Sequence, residues 1–120
     1  MSSASTITTI SAEQLEQRLQ KGAFQFWNVL SDKYFNGELI VGSLRVPSDN
    51  VGREAAQLGL PKNAEIVVYC KDKDCTASDN AADKLQTLGF SNVLVYKGGL
   101  VEWKESGRSL AHLKTVGAVA

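Results

Sequence analysis

The stretch Glu65-Ile-Val-Val-Tyr-Cys-Lys-Asp-Lys-Asp-Cys-Thr-Ala-Ser78 decides the fold of this chain. Its first half is a nearly uninterrupted run of β-branched and aromatic side chains, the pattern of a strand buried on both faces. Its second half is polar, and Thr76-Ala-Ser-Asp79 has the form of a capping box that opens a helix. Ala77, Ala81, Ala82, Leu85 and Leu88 then recur at helical spacing, and Gly89 closes the helix. A doubly buried strand that runs into a helix belongs to a mostly parallel sheet with helices on both faces.

The flanking sequence repeats that alternation. Downstream, Val93-Leu-Val-Tyr96 is a second strand of the buried type, followed by Gly98-Gly99 and a helix through Trp103 to about Ser106. Upstream, Ser48 to Leu58 forms a helix with Val51, Ala55 and Leu58 on one side and Gly59 as its stop. Phe24 to Leu30 is an aromatic run of strand length, and Leu39 to Val46 is a short strand region interrupted at Gly42. Ser11-Ala-Glu-Gln14 is another capping box, with Ile10 and Leu15 as its hydrophobic staple, so Ala12 to Gln20 is a helix ended by Gly22. The pattern predicts one α/β domain over 7–109, a disordered segment over 1–6 and a loosely held tail over 110–120.

Composition narrows the function. The chain has 120 residues with 43% hydrophobic and 22% charged side chains, the make-up of one ordinary globular domain. Thirteen basic and thirteen acidic residues cancel, which excludes a nucleic-acid binder working through bulk charge. Two cysteines and one histidine cannot supply a four-ligand Cys/His zinc site, so neither metal nor cofactor is expected. His112 lies in the tail, which argues against a histidine-based triad. Met1 to Ser11 has no basic or apolar region of a secretory signal, and no apolar run approaches a membrane span. The expectation is a cytoplasmic protein with free thiols in a reducing compartment.

Any covalent chemistry must then come from a cysteine without a histidine base. Cys70 closes the buried strand, where open α/β sheets place their ligands. The loop from Lys71 through Asp72, Lys73, Asp74 and Cys75 to Thr76 leads to a helix N-terminus, whose N–H groups can converge on an anion. Helix N-termini and neighbouring lysines such as Lys71 and Lys73 favour a thiolate, while Asp72 and Asp74 weaken their field. The plain alternative is that Cys70 is a small packing residue and the charged loop a solvated turn. Trp27 and Trp103 read as packing residues, and Arg45, Arg53 and Arg108 as scattered and solvated.

From Ile7 to Ser109 the chain resembles the rhodanese-like domains, a single-domain sulfurtransferase family. Phe26-Trp-Asn-Val29 stands where the family's strand ends in Asp-Val, and Glu38-Leu-Ile-Val-Gly-Ser43 at its Gly-His-Ile-Pro-Gly-Ala segment, followed by Val46-Pro47. Ile66-Val-Val-Tyr-Cys70 matches the strand that carries the catalytic cysteine. Ala81-Ala82, Leu85, Gly89-Phe90 and Asn92-Val93 fit the next helix and strand, and Gly98-Gly99 with Trp103 the Gly-Gly-x-x-x-Trp ending.

The resemblance implies a five-stranded parallel sheet and a mechanism. The Cys70 thiolate attacks the outer sulfur of an anionic donor such as thiosulfate, and the persulfide passes that sulfur to a thiophilic acceptor, a small molecule or a protein. Backbone N–H groups from Lys71 to Thr76 hold the persulfide's charge. Leu30, Asn28 and Leu39 stand where the family has Arg, Asp and His. The loop from Cys70 through Thr76 has seven residues, the length found in the family's phosphatase- and arsenate-reductase-like branch. Thr76 replaces that branch's final Arg, which disfavours an oxyanion enzyme. Cys75 has two readings, a filler beneath the helix start or a resolving thiol for Cys70. A non-catalytic binding or redox-sensing module built on the two cysteines is the alternative to an enzyme.

Overall fold

A computed structural model of the chain describes residues 8–22 and 24–112. At its centre β5 (Ile66–Tyr69) lies between β2 (Gln25–Asn28) and β6 (Val93–Tyr96), parallel to both. β1 (Thr8–Thr9) extends the sheet beyond β6 and β4 (Leu44–Arg45) beyond β2, so five parallel strands run in the order β1-β6-β5-β2-β4. Helices α1 (Ala12–Lys21), α2 (Val51–Leu58), α3 (Ala77–Thr87) and α4 (Gly99–Glu105) connect them, and a 3-10 turn, Ser48–Asn50, precedes α2.

The strand period of two assigns alternate side chains to opposite faces. Ile66 and Val68 join Val51, Ala55, Ala81 and Leu85 in the core beneath α2 and α3. Val67 and Tyr69 join Leu15, Leu100 and Trp103 beneath α1 and α4. All four residues of β5 are fully buried, as the unbroken apolar run requires.

Local chemistry sets the helix ends. Ser11 Oγ accepts the Gln14 N–H at 3.1 Å and Gln14 Oε1 accepts the Ser11 N–H at 2.9 Å, closing the expected box at α1. The box expected at Thr76 does not form. Thr76 already has helical backbone angles, φ −94° and ψ −7°, whereas a capping side chain needs an extended residue. Asp79 instead pairs with Lys97 at 2.9 Å.

Two other expectations change. The region from Leu39 to Val46 is not one strand region: Gly42, at φ 95°, turns the chain between two sheets. β4 joins the parallel sheet, while β3 (Glu38–Ile40) pairs antiparallel with β7 (Leu110–His112). The tail expected to be loosely held from residue 110 is therefore a strand over its first three residues. Trp103 Nε1 donates to the Ser109 carbonyl at 3.0 Å and turns the chain back onto β3, which would otherwise present an unpaired edge. The segments 1–6 and 113–120 and Ile7 lie outside the described residues.

A buried polar network docks β3 on the sheet. The Tyr69 hydroxyl accepts the Ile40 N–H at 2.8 Å and lies 2.7 Å from Ser43 Oγ. Ser43 gives its single proton to the Ile40 carbonyl, so the phenol donates to Ser43. Burial, above all, pushes the Tyr69 phenol above its ordinary value of 10, and the hydrogen bonds with Ser43, Ile40 and Asn28 offset part of that rise. Well below pH 10 the phenol is protonated in the folded and the unfolded chain alike. Above it the unfolded chain releases the proton first, so stability falls as pH rises towards the folded value. Tyr69→Phe leaves the Ile40 N–H unpartnered and is expected to cost about 1–3 kcal/mol near pH 7. The variant should also show a shallower loss of stability above pH 10; urea denaturation on both sides of that pH checks both effects.

Candidate functional site

Cys70 follows the last residue of β5 and is 1% exposed. Its carbonyl accepts the Leu100 N–H at 3.1 Å, and the Lys71 carbonyl accepts the Val101 N–H at 2.9 Å. The first turn of α4 thus holds the root of the loop, using donors that a helix cannot satisfy internally. This approach excludes a side chain at residue 99. A Cβ there would lie 2.5 Å from the Cys70 oxygen and 2.7 Å from the Lys71 carbonyl, and Gly99 has φ 65°.

Beyond Lys71 the chain turns on Asp72. Its Oδ1 accepts the Asp74 N–H at 3.0 Å, and its carbonyl accepts the Cys75 N–H at 3.2 Å. The turn carries Cys75 back over the strand end, where it forms a disulfide with Cys70 across a Cα–Cα distance of 6.4 Å. The cysteines expected as free thiols are therefore bonded to each other. The N–H groups of Asp74 and Cys75, expected to face an anion, are turned onto Asp72. A short acidic side chain in a turn competes for such donors.

Ser78 was missed in the sequence because it reads as an interior position of a helix cap. Asn28 and Ser78 are the fully buried polar residues among those described. Ser78 sits in the first turn of α3 with Oγ 3.6 Å from Cys70 Sγ. A disulfide sulfur has no proton, so the hydroxyl donates. The available signal was spacing: a polar residue on the apolar stripe of α3, facing the strand end.

A cavity of about 460 Å³ opens beside the loop. Leu30, Tyr34, Asn36 and Glu38 form one wall, Lys71, Asp72, Asp74 and Cys75 a second, and Leu100, Val101 and Lys104 of α4 a third. Cys70, Lys73 and Thr76 stand outside this lining. The cavity's lysines, Lys71 and Lys104, meet three carboxylates. Burial acts to raise the Glu38 carboxyl, but hydrogen bonds from Asn36 and Lys104 and the charges of Lys104 and His112 outweigh it and hold it below its ordinary value. Glu38 in turn holds Lys104 at 3.4 Å.

None of the chain's four arginines, Arg18, Arg45, Arg53 and Arg108, lines this cavity. Arg45 and Arg108 are not solvated as expected. Arg45 lies 4.1 Å over the Phe35 ring and pairs with Asp32 at 2.9 Å; Arg108 lies 5.1 Å over Trp103 and pairs with Glu16 at 3.3 Å. Among the described residues no three His, Cys, Asp or Glu side chains are gathered to hold a metal. No helix among them is long and apolar enough to cross a membrane.

The model of the rhodanese-like domain family matches residues 11–106. No curated protein sequence matches the chain. The solved rhodanese-like domain of an Anabaena protein is 27% identical, with a TM-score of 0.75 over 90% of this chain and 81% of that one. A human single-domain sulfurtransferase is 20% identical, with a TM-score of 0.68 over 83% of this chain and 97% of that one. A thiosulfate sulfurtransferase from Pseudomonas aeruginosa is 18% identical, with a TM-score of 0.74, this chain spanning 21% of its length and matching over 91% of its own. At such identities the last two share the fold.

Two glycines with positive φ separate conformation from close approach. Gly107, at φ 82°, has nothing within 4 Å of an added Cβ, so Gly107→Ala should cost about 1 kcal/mol of left-handed strain. Gly99→Ala adds the collision with the loop root and should cost about 3 kcal/mol. Chemical denaturation of the two variants checks the difference.

Proposed function

Because the chain belongs to the rhodanese-like domain family, we propose that it is a sulfurtransferase that carries sulfane sulfur as a persulfide on Cys70. The observation that carries this reading is the place of Cys70 Sγ, at the end of β5, 3.6 Å from the buried Ser78 hydroxyl in the first turn of α3. A cysteine that only fills space needs neither a hydroxyl donor nor a helix N-terminus; a sulfur anion is stabilised by both.

With the loop reduced, the Cys70 thiolate attacks the outer sulfur of thiosulfate. A new S–S bond forms, the donor's S–S bond breaks, and sulfite leaves with its electron pair. The persulfide anion sits over the N-terminus of α3 with Ser78 as donor, and the backbone N–H groups between Lys71 and Thr76 turn towards it. Lys71, Lys73 and Lys104 draw the anionic donor in, weakly, because Glu38, Asp72 and Asp74 oppose them. The outer sulfur then passes to cyanide or to a thiol, free or on a protein, and the Cys70 thiolate is restored. A reducing, cytoplasmic setting suits a cycle that needs this thiolate.

A redox-sensing module without turnover is the second reading, favoured by the Cys70–Cys75 disulfide. Thiosulfate-to-cyanide transfer by the reduced protein decides between them. Thiocyanate formation is expected, falling to background in Cys70→Ser; a reduced protein inactive with every sulfane donor supports the second reading. Ser78→Ala removes one hydrogen bond to a charged sulfur and should slow alkylation of reduced Cys70 by iodoacetamide about tenfold at pH 7. An unchanged rate would remove Ser78 from the site.

A further inference from the structure

Cys75 has no part in the transfer cycle, yet the loop delivers its sulfur to Cys70. We propose that Cys75 resolves the Cys70 persulfide, so that the domain also reduces sulfane sulfur to sulfide at the expense of an external dithiol. The inference rests on the persulfide chemistry proposed above.

Geometry supports the step. The loop root is held by α4 through the Cys70 and Lys71 carbonyls, and the turn at Asp72 brings Cys75 to bonding distance of Cys70. Only five positions separate the cysteines, so the step is intramolecular and needs no movement of β5 or α3. The Cys75 thiolate attacks the inner sulfur of the persulfide, Cys70 Sγ. A Cys70–Cys75 bond forms, the bond to the outer sulfur breaks, and hydrosulfide leaves with the electron pair. The two cysteines are oxidised to the disulfide and the sulfane sulfur is reduced to sulfide.

Unequal exposure then directs the return. Cys70 is 1% exposed, whereas Cys75 is half-buried and lines the cavity. An incoming thiolate reaches Cys75, forms a mixed disulfide there and expels the Cys70 thiolate beside Ser78. The second thiol of the reductant closes its own disulfide and frees Cys75. Over one turn, thiosulfate and two thiols give sulfite, hydrogen sulfide and one disulfide.

The test uses the 120-residue chain, reduced and freed of thiol under anaerobic conditions, with thiosulfate or inorganic polysulfide as sole oxidant. After thiosulfate the wild type should release about one equivalent of sulfide and lose two hydrogens in mass, whereas Cys75→Ser should keep an added sulfur and release sulfide at least about tenfold more slowly. An adduct of equal lifetime in both proteins overturns the inference and leaves the transferase reading intact. No adduct on Cys75→Ser with either donor overturns both. Trypsin separates the cysteines into peptides 63–71 and 74–84. Limiting monothiol added to the wild-type disulfide should modify the second peptide; modification of the first overturns the proposed direction of reduction.

Discussion

The structure depends on one close approach, that of α4 to the end of β5. Leu100 and Val101 donate to the carbonyls of Cys70 and Lys71, and residue 99 can have no side chain. Leu100 and Trp103 bury the other side of α4 against the sheet, so the contact joins the core to the loop root. The far end of the loop enters α3, which packs on the opposite face. Between these anchors the backbone can turn on Asp72 without disturbing either core. A parallel sheet directs both helix N-termini to the same edge, the usual place for chemistry in open α/β folds.

The buried polar groups divide between scaffold and site. Asn28 donates to the Tyr69 hydroxyl and to the Glu38 carbonyl, each at 3.4 Å, and accepts the Leu30 N–H at 3.0 Å. A carboxylate could accept the last bond but donate neither of the others, so Asn28, where the family has Asp, suits the Tyr69 network of this chain. Leu30 and Leu39, at the places of the family's Arg and His, are buried apolar residues. Ser78 is the buried polar group left to the sulfur. Leaving it without a partner would cost about 1–3 kcal/mol, which ties it to Cys70 on grounds of stability as well as chemistry.

Much of this was legible in one dimension. Burial of β5 on both faces follows from Ile66-Val-Val-Tyr69, and the capping of α1 from Ser11 and Gln14, because strand periodicity and cap chemistry act over a few residues. The cysteine loop and its parallel-sheet setting were legible for the same reason. The cap at Thr76 was misread because its backbone angles are set by how the loop enters α3 and not by the residue types. β1 has only two residues and β7 three, too few to show a period; their pairing with β6 and β3 makes them strands.

The sequence by itself determined the order of the four helices and of the central strands β2, β5 and β6, the parallel α/β class and the placing of Cys70 and Cys75 in one loop between a strand and a helix, since each follows from local pattern. Tertiary structure decided which groups meet: Gly99 with the Cys70 carbonyl, Ser78 with the Cys70 sulfur, Tyr69 with Ile40, and Cys75 with Cys70. Such meetings depend on how the chain closes in space, where a hydrogen bond or a disulfide is set by a few ångströms and sequence separation carries no distance.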